Sequence, residues 1–475
     1  MPSHSADIVI VGGGLAGLAA AIRAAEQGLK PIVLEQGTDE KYLCNSRITM
    51  GVFQVALHDM LGGAESLAKA IDEASRGYVD GALRDRYAAE AGPALRWLFG
   101  QGIRTINAGA ATRSLATLAP PVPRRPGLDW NGRAGDVMLR TLVARLETLG
   151  GSLRRGVRAR ELITEGERCV GVMATSGQAT HRFDSRAVVL ADGGFASNPD
   201  LLRRFVSKHP ERLLQRNAKA GNGDALLMAE AIGAKLTDME CFYGHVQARD
   251  AMRNPGLWPY PTIDFPIAAG LAVDCNGERF TDEGLAGVSI ANAIARLDDP
   301  LGAVAIFDET IWQESGKTYV MSTNPFLVET GATFYRGDTV DAAAAQAELP
   351  AATVAATVDA YNRAVASKSL DRLDPPRSAD FGHIWGSKAL PIMRPPFYAV
   401  PLCSGITYTM GGLAVDPDAR VLHQSGRAID GLYAAGGTIG GLEGGPVTGY
   451  SGGLAKALTF GKIAGESAAR ALKGR

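Results

Sequence analysis

The amino-acid sequence predicts an α/β fold of Rossmann type, interrupted by an inserted α+β domain. Three features support this prediction: a strand–turn–helix pattern with clustered glycines at the N-terminus, a return of the same glycine turns near the C-terminus, and an irregular, aromatic-rich region between them. A chain of 475 residues is long enough for two or three domains. We place the first part of the Rossmann-type domain at residues 1–239, the inserted domain at 240–403 and the second part at 404–475.

The first stretch, DIVIVGGGLAGLAAAIRAAEQGLKPIVLEQG, predicts a strand, a glycine turn, a helix and a second strand. Residues 7–11 are a continuous apolar run, which is typical of a strand buried on both faces of a sheet. Residues 18–27 are good helix formers, and residues 31–34 form another apolar run. Together they predict a βαβ unit.

The glycines of this unit have the spacing of a dinucleotide-binding turn. Gly12, Gly14 and Gly17 give the pattern G-x-G-x-x-G between a strand and a helix. Gly12 allows the tight turn, Gly14 lets the backbone approach a pyrophosphate, and Gly17 allows close packing of helix and strand. Glu35, at the end of the second strand, is placed to accept hydrogen bonds from a ribose.

Later segments extend the same layer. ARELITEG and RCVGVMATS predict a hairpin, RAVVLADGGFASN predicts a buried strand that ends in a double-glycine turn, and AGNGDALLMAEAIGAKL predicts a glycine loop that opens a helix. In the inserted region, residues 342–366 are predicted to be helical. Near the C-terminus, GLYAAGG predicts a strand and turn, and GGLAKALTFGKIAG predicts a helix with bare glycines at its N-terminus.

Composition narrows the class of protein. The net charge of −1 argues against a nucleic-acid partner, and no stretch has the length of a membrane span. The five cysteines are scattered without Cys-x-x-Cys pairs, so we expect free thiols in a reducing cytoplasm and no metal site.

The second glycine-rich helix points to a particular cofactor. A helix N-terminus aimed at a flavin stabilises negative charge on the reduced ring. An enzyme that binds only NAD would not need this second, distant glycine element. The two ends of the chain therefore predict FAD.

The motifs together resemble one family. The stretches VIVGGGLAGLAAAIRAAEQG, NSRITMGVF, AVVLADGGFASN, NGERFTDE, TYTMGGLAVD, GLYAAGG and LTFGKIAG look like those of the FAD-dependent fumarate reductase/succinate dehydrogenase flavoproteins. This superfamily also contains ketosteroid dehydrogenases and tricarballylate dehydrogenase. The resemblance covers essentially the whole chain and implies an FAD-binding domain with an inserted cap, with the active site where the cap meets the flavin.

The resemblance also implies FAD contacts along the chain. Besides Gly12, Gly14, Gly17 and Glu35, these are Asn45, Ser46 and Gly51 along the flavin edge, Val157 at the adenine, Gly193, Gly436 and Gly437 in the double-glycine turns, Asp224 at the ribityl-pyrophosphate, and Gly453 and Leu454 at the pyrimidine edge of the ring.

The sequence departs from the family's pattern at two of these turns. Asp192 stands where members usually have threonine, and Gly437 stands where many have glutamate. Members that attach FAD covalently use a histidine near NSRIT, and residues 46–48 contain none. Non-covalent FAD is therefore predicted.

The polar groups with which fumarate reductases hold a dicarboxylate are mostly replaced. By resemblance, a proton-donating arginine would fall on Gly287, a clamping arginine on Thr448 and a late histidine on Tyr408, whereas the first histidine is kept as His245. Small dicarboxylates require guanidinium partners, so fumarate or succinate is not the expected substrate.

Neutral groups at these positions suit a carbonyl substrate. We expect Tyr408, His245 and Tyr450 to carry the chemistry, with a base that removes the proton α to the carbonyl and hydrogen bonds that stabilise the enolate. A tyrosine base would have to be made more acidic, and His245 or glycine amides are candidates for that role.

Three functions stay open at this point. The favoured one is dehydrogenation of a cyclic or apolar ketone, with a small-molecule carbonyl substrate and an electron acceptor that the sequence does not identify. The second is a reductase or dehydrogenase of an unsaturated carboxylate, with Arg47 or another arginine as the clamp. The third is a non-catalytic flavin-binding or electron-transfer protein.

Overall fold

The structure is a computed structural model that describes residues 2–110, 113–318, 321–379 and 387–474. The strands in this part of the chain are β1 (Ser3–Ala6), β2 (Ile8–Val11), β3 (Pro31–Glu35), β4 (Gln54–Val55), β5 (His58–Asp59), β6 (Thr105–Ala110), β7 (Arg113–Leu118), β8 (Ser152–Arg155), β9 (Arg158–Glu165), β10 (Arg168–Ser176), β11 (Ala179–Ser185), β12 (Val188–Leu190), β13 (Leu214–Gln215), β14 (Leu236–Thr237), β15 (Phe242–Ala248), β16 (Leu271–Val273), β17 (Val304–Asp308), β18 (Tyr335–Gly337), β19 (Phe397–Thr409), β20 (Gly412–Leu413), β21 (Arg420–Leu422) and β22 (Ala428–Ala434).

The α-helices in the same residues are α1 (Leu15–Glu26), α2 (Ala64–Ser75), α3 (Gly81–Gly100), α4 (Ala134–Thr148), α5 (Pro199–Phe205), α6 (Asp224–Ala231), α7 (Asp264–Ala269), α8 (Ala286–Arg296), α9 (Glu309–Gln313), α10 (Thr323–Glu329), α11 (Val340–Gln346), α12 (Ala351–Ser367) and α13 (Gly453–Lys473). None of them is long and apolar enough to cross a bilayer.

Both ends of the chain contribute to one ten-stranded sheet. Its order is β1-β11-β10-β22-β12-β2-β3-β8, with β9 on β10 and β21 on β22. The strands from β22 to β8 are parallel, and β2 and β12 are completely buried, as their apolar sequences predict. The predicted hairpin is confirmed as β9 and β10.

Helices α1 and α13 pack against each other through glycines. A Cβ atom on Gly461 would lie 2.4 Å from the carbonyl oxygen of Ala16, and one on Gly465 would lie 2.4 Å from that of Ala20. Only glycine permits this approach of two helix backbones. The glycines inside α13 therefore serve helix packing, whereas those at its N-terminus face the cavity described below.

A second, six-stranded sheet carries the other large core. Its order is β13-β19-β17-β16, and β15 and β18 also pair with β19. β19 runs without interruption from Phe397 to Thr409 and crosses the predicted boundary at 403. The division of the chain at 239 and 403 stays a prediction.

The prediction of a single helix at residues 342–366 is wrong in one respect. The structure has two helices, α11 and α12, separated at residues 347–350. Pro350 is the residue before α12, and a proline inside a continuous helix would clash with the preceding turn and remove a backbone donor.

Candidate active site

One continuous cavity brings both glycine turns together with the predicted tyrosines. Most of the predicted site residues line it: Gly12, Gly14, Glu35, Asn45, Ser46, Gly193, Gly436, Gly437, Gly453, Leu454, Tyr408 and Tyr450. The cavity also contains residues from the inserted region, Tyr243, Trp258 and Tyr260. Residues from both parts of the sequence therefore line the same cavity.

Five predicted residues do not line the cavity. Gly17 packs under the turn, where its Cβ would lie 1.9 Å from the carbonyl oxygen of Gly12. Gly51, with φ +82°, packs against Leu118, and the amide of Val157 donates to the carbonyl of Glu35 at 2.9 Å. The remaining two are Asp224 and His245.

Asp224 has a different partner from the one expected. Its carboxylate accepts two hydrogen bonds from Arg158, at 2.5 and 2.8 Å, so the structure directs it toward a guanidinium and not toward the cavity. The acidic group that does line the cavity near this helix is Asp192, which accepts from the amide of Ala225 at 2.9 Å. Burial raises the pKa of Asp192 to about 7.

The residues around the first turn fit FAD. Gly12 has φ +104°, and its Cβ would lie 2.4 Å from the carbonyl oxygen of Ala191, so no other residue fits there. Helix α1 begins after Gly14, which offers no side-chain cap; the amide of Leu15 donates to Ser46 Oγ at 3.1 Å, and the N-terminal end of the helix faces the cavity, where phosphate is expected. Glu35, 6% exposed, accepts from the amides of Gly13 and Gly37 and is fixed at the edge of the cavity.

The N-terminus of α13 is the second backbone donor at the cavity. Its first residue, Gly453, lines the cavity, and the preceding Gly452 has φ +112° and offers no side-chain cap. A 21-residue helix presents partial positive charge at this end, where a flavin ring or an enolate would gain from it.

Tyr243, His245 and Asp264 form a hydrogen-bonded chain from the cavity into the core. The hydroxyl of Tyr243 lies 2.9 Å from Nε2 of His245, and Nδ1 of His245 contacts the carboxylate of Asp264. Asp264 also accepts from the amide of Val246 at 2.9 Å, which fixes its orientation. Of the three, only Tyr243 lines the cavity, because His245 and Asp264 are buried.

The direction of the hydrogen bonds follows from the chemistry of the groups. A carboxylate only accepts, so Nδ1 of His245 carries a hydrogen and donates it to Asp264. Burial lowers the pKa of His245, although Asp264 opposes that shift, so the ring holds one hydrogen. Nε2 is then an acceptor, and the hydroxyl of Tyr243 donates to it.

Tyr243, Tyr408 and Tyr450 form an aromatic group at the cavity wall. The rings of Tyr243 and Tyr450 stack with centroids 4.2 Å apart, and those of Tyr243 and Tyr408 lie 5.3 Å apart. Tyr243 is opposite Tyr408 in the pairing of β15 with β19, which explains their contact.

Tyr408 is not acidified, contrary to the expectation for a base. Its hydroxyl donates to both carboxylate oxygens of Glu443, at 2.9 and 3.1 Å. Burial and the charge of Glu443 raise the pKa of Tyr408 well above its ordinary value. Glu443 also accepts from Lys456 at 2.6 Å and from the amides of Ser451 and Gly452, so it holds Tyr408 and the start of α13 in place.

The arginines expected of a dicarboxylate clamp are absent from their positions. A Cβ on Gly287 would lie 2.2 Å from the carboxyl group of Asp264, so no side chain fits there. Thr448 is buried with φ +52°. Arg47 is paired with Asp136 in the interior and is therefore not the clamp considered for a carboxylate substrate.

The comparisons with known proteins identify the family of this chain. Residues 7–451 match the family described as an FAD binding domain. The chain belongs to this family. It is a flavoprotein of the fumarate reductase/succinate dehydrogenase superfamily and an FAD-dependent oxidoreductase, which confirms the predicted cofactor and fold class.

Its relatives and structural neighbours include reductases and dehydrogenases that are named for different substrates. The flavoprotein is 28% identical to the vinyl phenol reductase of Lactiplantibacillus plantarum, over 93% of this chain and 91% of the relative. It is 27% identical to the urocanate reductase of Eggerthella lenta, over 98% of this chain and 74% of the relative. The 3-ketosteroid delta1-dehydrogenase of Sterolibacterium denitrificans has the same fold, with a TM-score of 0.75 at 21% identity over 98% and 100% of the two chains.

Sequence reasoning missed four residues of the flavoprotein's site: Tyr243, Asp264, Glu443 and Arg216. Tyr243 had a local signal, because it precedes His245 by two positions on a strand and so shares its face. The other three come from distant parts of the chain; only the folded arrangement brings Arg216 to the cavity, and Asp264 and Glu443 into contact with His245 and Tyr408.

Proposed function

We propose that this flavoprotein dehydrogenates a cyclic or apolar ketone at the carbon–carbon bond next to the carbonyl. The observation that carries the proposal is the chain of Tyr243, His245 and Asp264, which leads from the cavity to a buried carboxylate. A base at the cavity wall is what removal of an α-proton requires.

Tyr243 is the base in this proposal. As the C–H bond next to the carbonyl breaks, the phenolic oxygen of Tyr243 takes the proton and gives its own hydrogen to Nε2 of His245. The carboxylate of Asp264 stabilises the resulting imidazolium. The electron pair of the C–H bond passes into the enolate, and loss of hydride from the β-carbon then leaves the carbon–carbon double bond. FAD, when bound, accepts that hydride.

Donors at the start of α13 stabilise the enolate oxygen. Burial and the charge of Glu443 raise the pKa of Tyr450, which keeps its phenol protonated and able to donate. The amide of Gly453 donates to the hydroxyl oxygen of Tyr450 at 3.4 Å, a long hydrogen bond in which the enolate oxygen would replace that acceptor. Tyr450 and Gly453 therefore act as the oxyanion-stabilising pair, and Tyr408 packs beside them.

FAD is held without a covalent bond in this proposal. No histidine stands at residues 46–48, and Ser46 accepts from the amide of Leu15 at 3.1 Å as part of the turn. A cytoplasmic location stays a prediction from the scattered cysteines. The electron acceptor stays unidentified.

A second candidate is reduction or dehydrogenation of an unsaturated carboxylate, and one observation favours it. Arg216 lines the cavity, so a cation is present even though the expected clamp is not. The same proton chain would run in the opposite direction and deliver a proton to the α-carbon.

Anaerobic mixing with candidate substrates distinguishes the two reactions. The proposal predicts that a cyclic ketone bleaches the flavin absorbance at about 450 nm, since substrate oxidation reduces the cofactor. If ketones leave the flavin oxidised and enoates reoxidise the reduced enzyme, the second candidate is correct. Lack of reaction in both directions across cyclic ketones and enoates would contradict both.

A further inference from the structure

Arg216 is a buried cation at the cavity wall. It follows β13, and only 6% of the residue is exposed. Its Nε and Nη2 donate to the carbonyl oxygen of Pro259, at 3.1 and 3.0 Å, and its Nη1 donates to the hydroxyl of Thr407 at 2.9 Å. These neutral acceptors fix the guanidinium but do not neutralise it.

Other buried arginines of the chain have acidic partners. Arg47, 1% exposed, pairs with Asp136, and Arg377, 2% exposed, lies 3.7 Å from Glu283. Arg216 forms no ion pair with any carboxylate in the described residues. Burial of a charge without a counter-charge is costly, so this position favours an anion as the partner of Arg216.

The guanidinium has hydrogens left for that anion. Of its five N–H groups, three have acceptors in the described residues, which leaves one on each terminal nitrogen. Two such hydrogens suit the two oxygens of a carboxylate. The indole Nε1 of Trp258, a cavity residue next to Pro259, is also buried without an acceptor among the described residues.

The position of Arg216 next to Tyr260, and through it near His245, places a bound anion on the substrate side of the cavity. The guanidinium lies 4.9 Å from the centre of the Tyr260 ring, and that ring lies 6.4 Å from the imidazole of His245. The pyrophosphate of FAD is expected at the turn of Gly12 and Gly14. The atoms nearest to that turn belong to residues other than Arg216, so the pyrophosphate is not the expected partner of this arginine.

We infer that Arg216 binds a carboxylate of the substrate, so that the preferred substrate is a cyclic ketone bearing one carboxylate group. This inference rests on the proposed function for the ketone. One carboxylate is implied, and not two, because Gly287 and Thr448 replace the arginines that would hold a dicarboxylate.

The test compares an acid with its neutral ester in the FAD-loaded enzyme. The probes are 4-hydroxybenzoate and its methyl ester, whose planar ring and hydroxyl resemble the enol of a cyclic ketone. Binding is measured by isothermal titration calorimetry and by perturbation of the flavin spectrum. The wild type should bind the acid about ten- to a hundredfold more tightly than the ester, as charged hydrogen bonds imply.

Arg216→Gln should abolish this preference without changing the affinity for the ester more than about twofold. Arg216→Lys keeps the positive charge but loses the paired N–H donors of the guanidinium, so it should retain part of the preference for the acid. Thr407→Val is the matched control, because it removes the hydrogen bond from Nη1 of Arg216 but leaves the guanidinium in place. This variant should keep the preference for the acid over the ester. Retained FAD, from the ratio of absorbance at about 450 nm to that at 280 nm, reports folding.

Three results would overturn the inference. The wild type could bind acid and ester equally, or Arg216→Gln or Arg216→Lys could keep the full preference for the acid. Loss of FAD from Arg216→Lys would assign the arginine to the cofactor instead. Tyr243→Phe separates this inference from the proposed function, because it should keep the carboxylate preference while losing turnover. If turnover persists in Tyr243→Phe, the proposed function fails and the binding result still stands.

Discussion

The hydroxyl of Tyr243 donates to Nε2 of His245 across 2.9 Å, while the other nitrogen of that ring is held by the buried carboxylate of Asp264. This relationship is the reason for proposing Tyr243 as the base, a residue that was not among Tyr408, His245 and Tyr450, which the sequence suggested for the chemistry. Tyr408 donates to Glu443 instead and is held in its protonated form.

Asp264→Asn should slow flavin reduction about a hundredfold or more, because an amide can donate to Nδ1 and so favour the wrong tautomer of His245. FAD content should not change. Asp308→Asn is the matched control, since Asp308 is also buried and accepts backbone hydrogen bonds at the start of α9, away from the cavity. Stopped-flow kinetics at saturating substrate measures both variants. Equal rates in the wild type and Asp264→Asn would contradict the role of this carboxylate.

The pH dependence should follow the neutral form of His245. Burial holds the pKa of His245 below its ordinary value of about 6.5, so the rate of flavin reduction should stay constant down to about pH 6.5 and fall only at lower pH. The same shift affects stability: below about pH 6.5 the unfolded chain takes up a proton that the folded protein resists. The His245 contribution to the free energy of unfolding is therefore present above that pH and is lost as the pH falls.

Urea titrations of the wild type and His245→Gln between pH 5 and pH 8 measure this contribution. The difference between the two free energies of unfolding should shrink toward low pH. A difference that grows toward low pH would mean that the folded protein binds the proton more tightly, which contradicts the proposed tautomer.

Much of the fold could be predicted from local pattern. The βαβ unit, the hairpin of β9 and β10 and the glycine turns each depend on residues close in sequence, where backbone conformation and periodicity are visible. The break before α12 was missed because alanine-rich sequence on both sides of Pro350 continues the helical pattern.

The site could be predicted only in part. The glycines at the two helix N-termini have a steric signature, so they were identified. The partner of a polar side chain leaves no comparable signature in the sequence. Asp224 was expected at the cofactor, but it pairs with Arg158. Glu443 lies in a glycine loop and contacts Tyr408 and Lys456. Such pairings depend on contacts between distant elements, which a single sequence does not reveal.

Glu443→Gln should lower the free energy of unfolding by about 3–5 kcal/mol, because it leaves the ammonium of Lys456 buried without a counter-charge. Both side chains are 1% exposed or less. The double variant Glu443→Gln/Lys456→Met removes both charges and should recover most of the loss. Urea unfolding measures all three proteins. A double variant no more stable than the single one would contradict this explanation.

Gly14→Ala should weaken FAD binding by about tenfold or more, or about 1.4 kcal/mol, without destabilising the apoprotein. A Cβ on Gly14 meets nothing closer than Ser46 Oγ at 3.4 Å, but it lies where the pyrophosphate is expected to approach. Gly63→Ala is the control, because Gly63 also precedes a helix and has open space around it. Fluorescence titration of the apoproteins gives the affinities. Equal FAD affinity for Gly14→Ala and Gly63→Ala would argue against the predicted pyrophosphate position.

The most direct test of the account is the rate of flavin reduction in Tyr243→Phe, measured anaerobically at about 450 nm with a ketone that reduces the wild type. Tyr408→Phe, which removes the neighbouring hydroxyl, is the comparison. We expect Tyr243→Phe to be at least about a hundredfold slower with its FAD retained, and Tyr408→Phe to be less than about tenfold slower. A Tyr243→Phe rate within about twofold of the wild type would contradict the assignment of Tyr243 as the base.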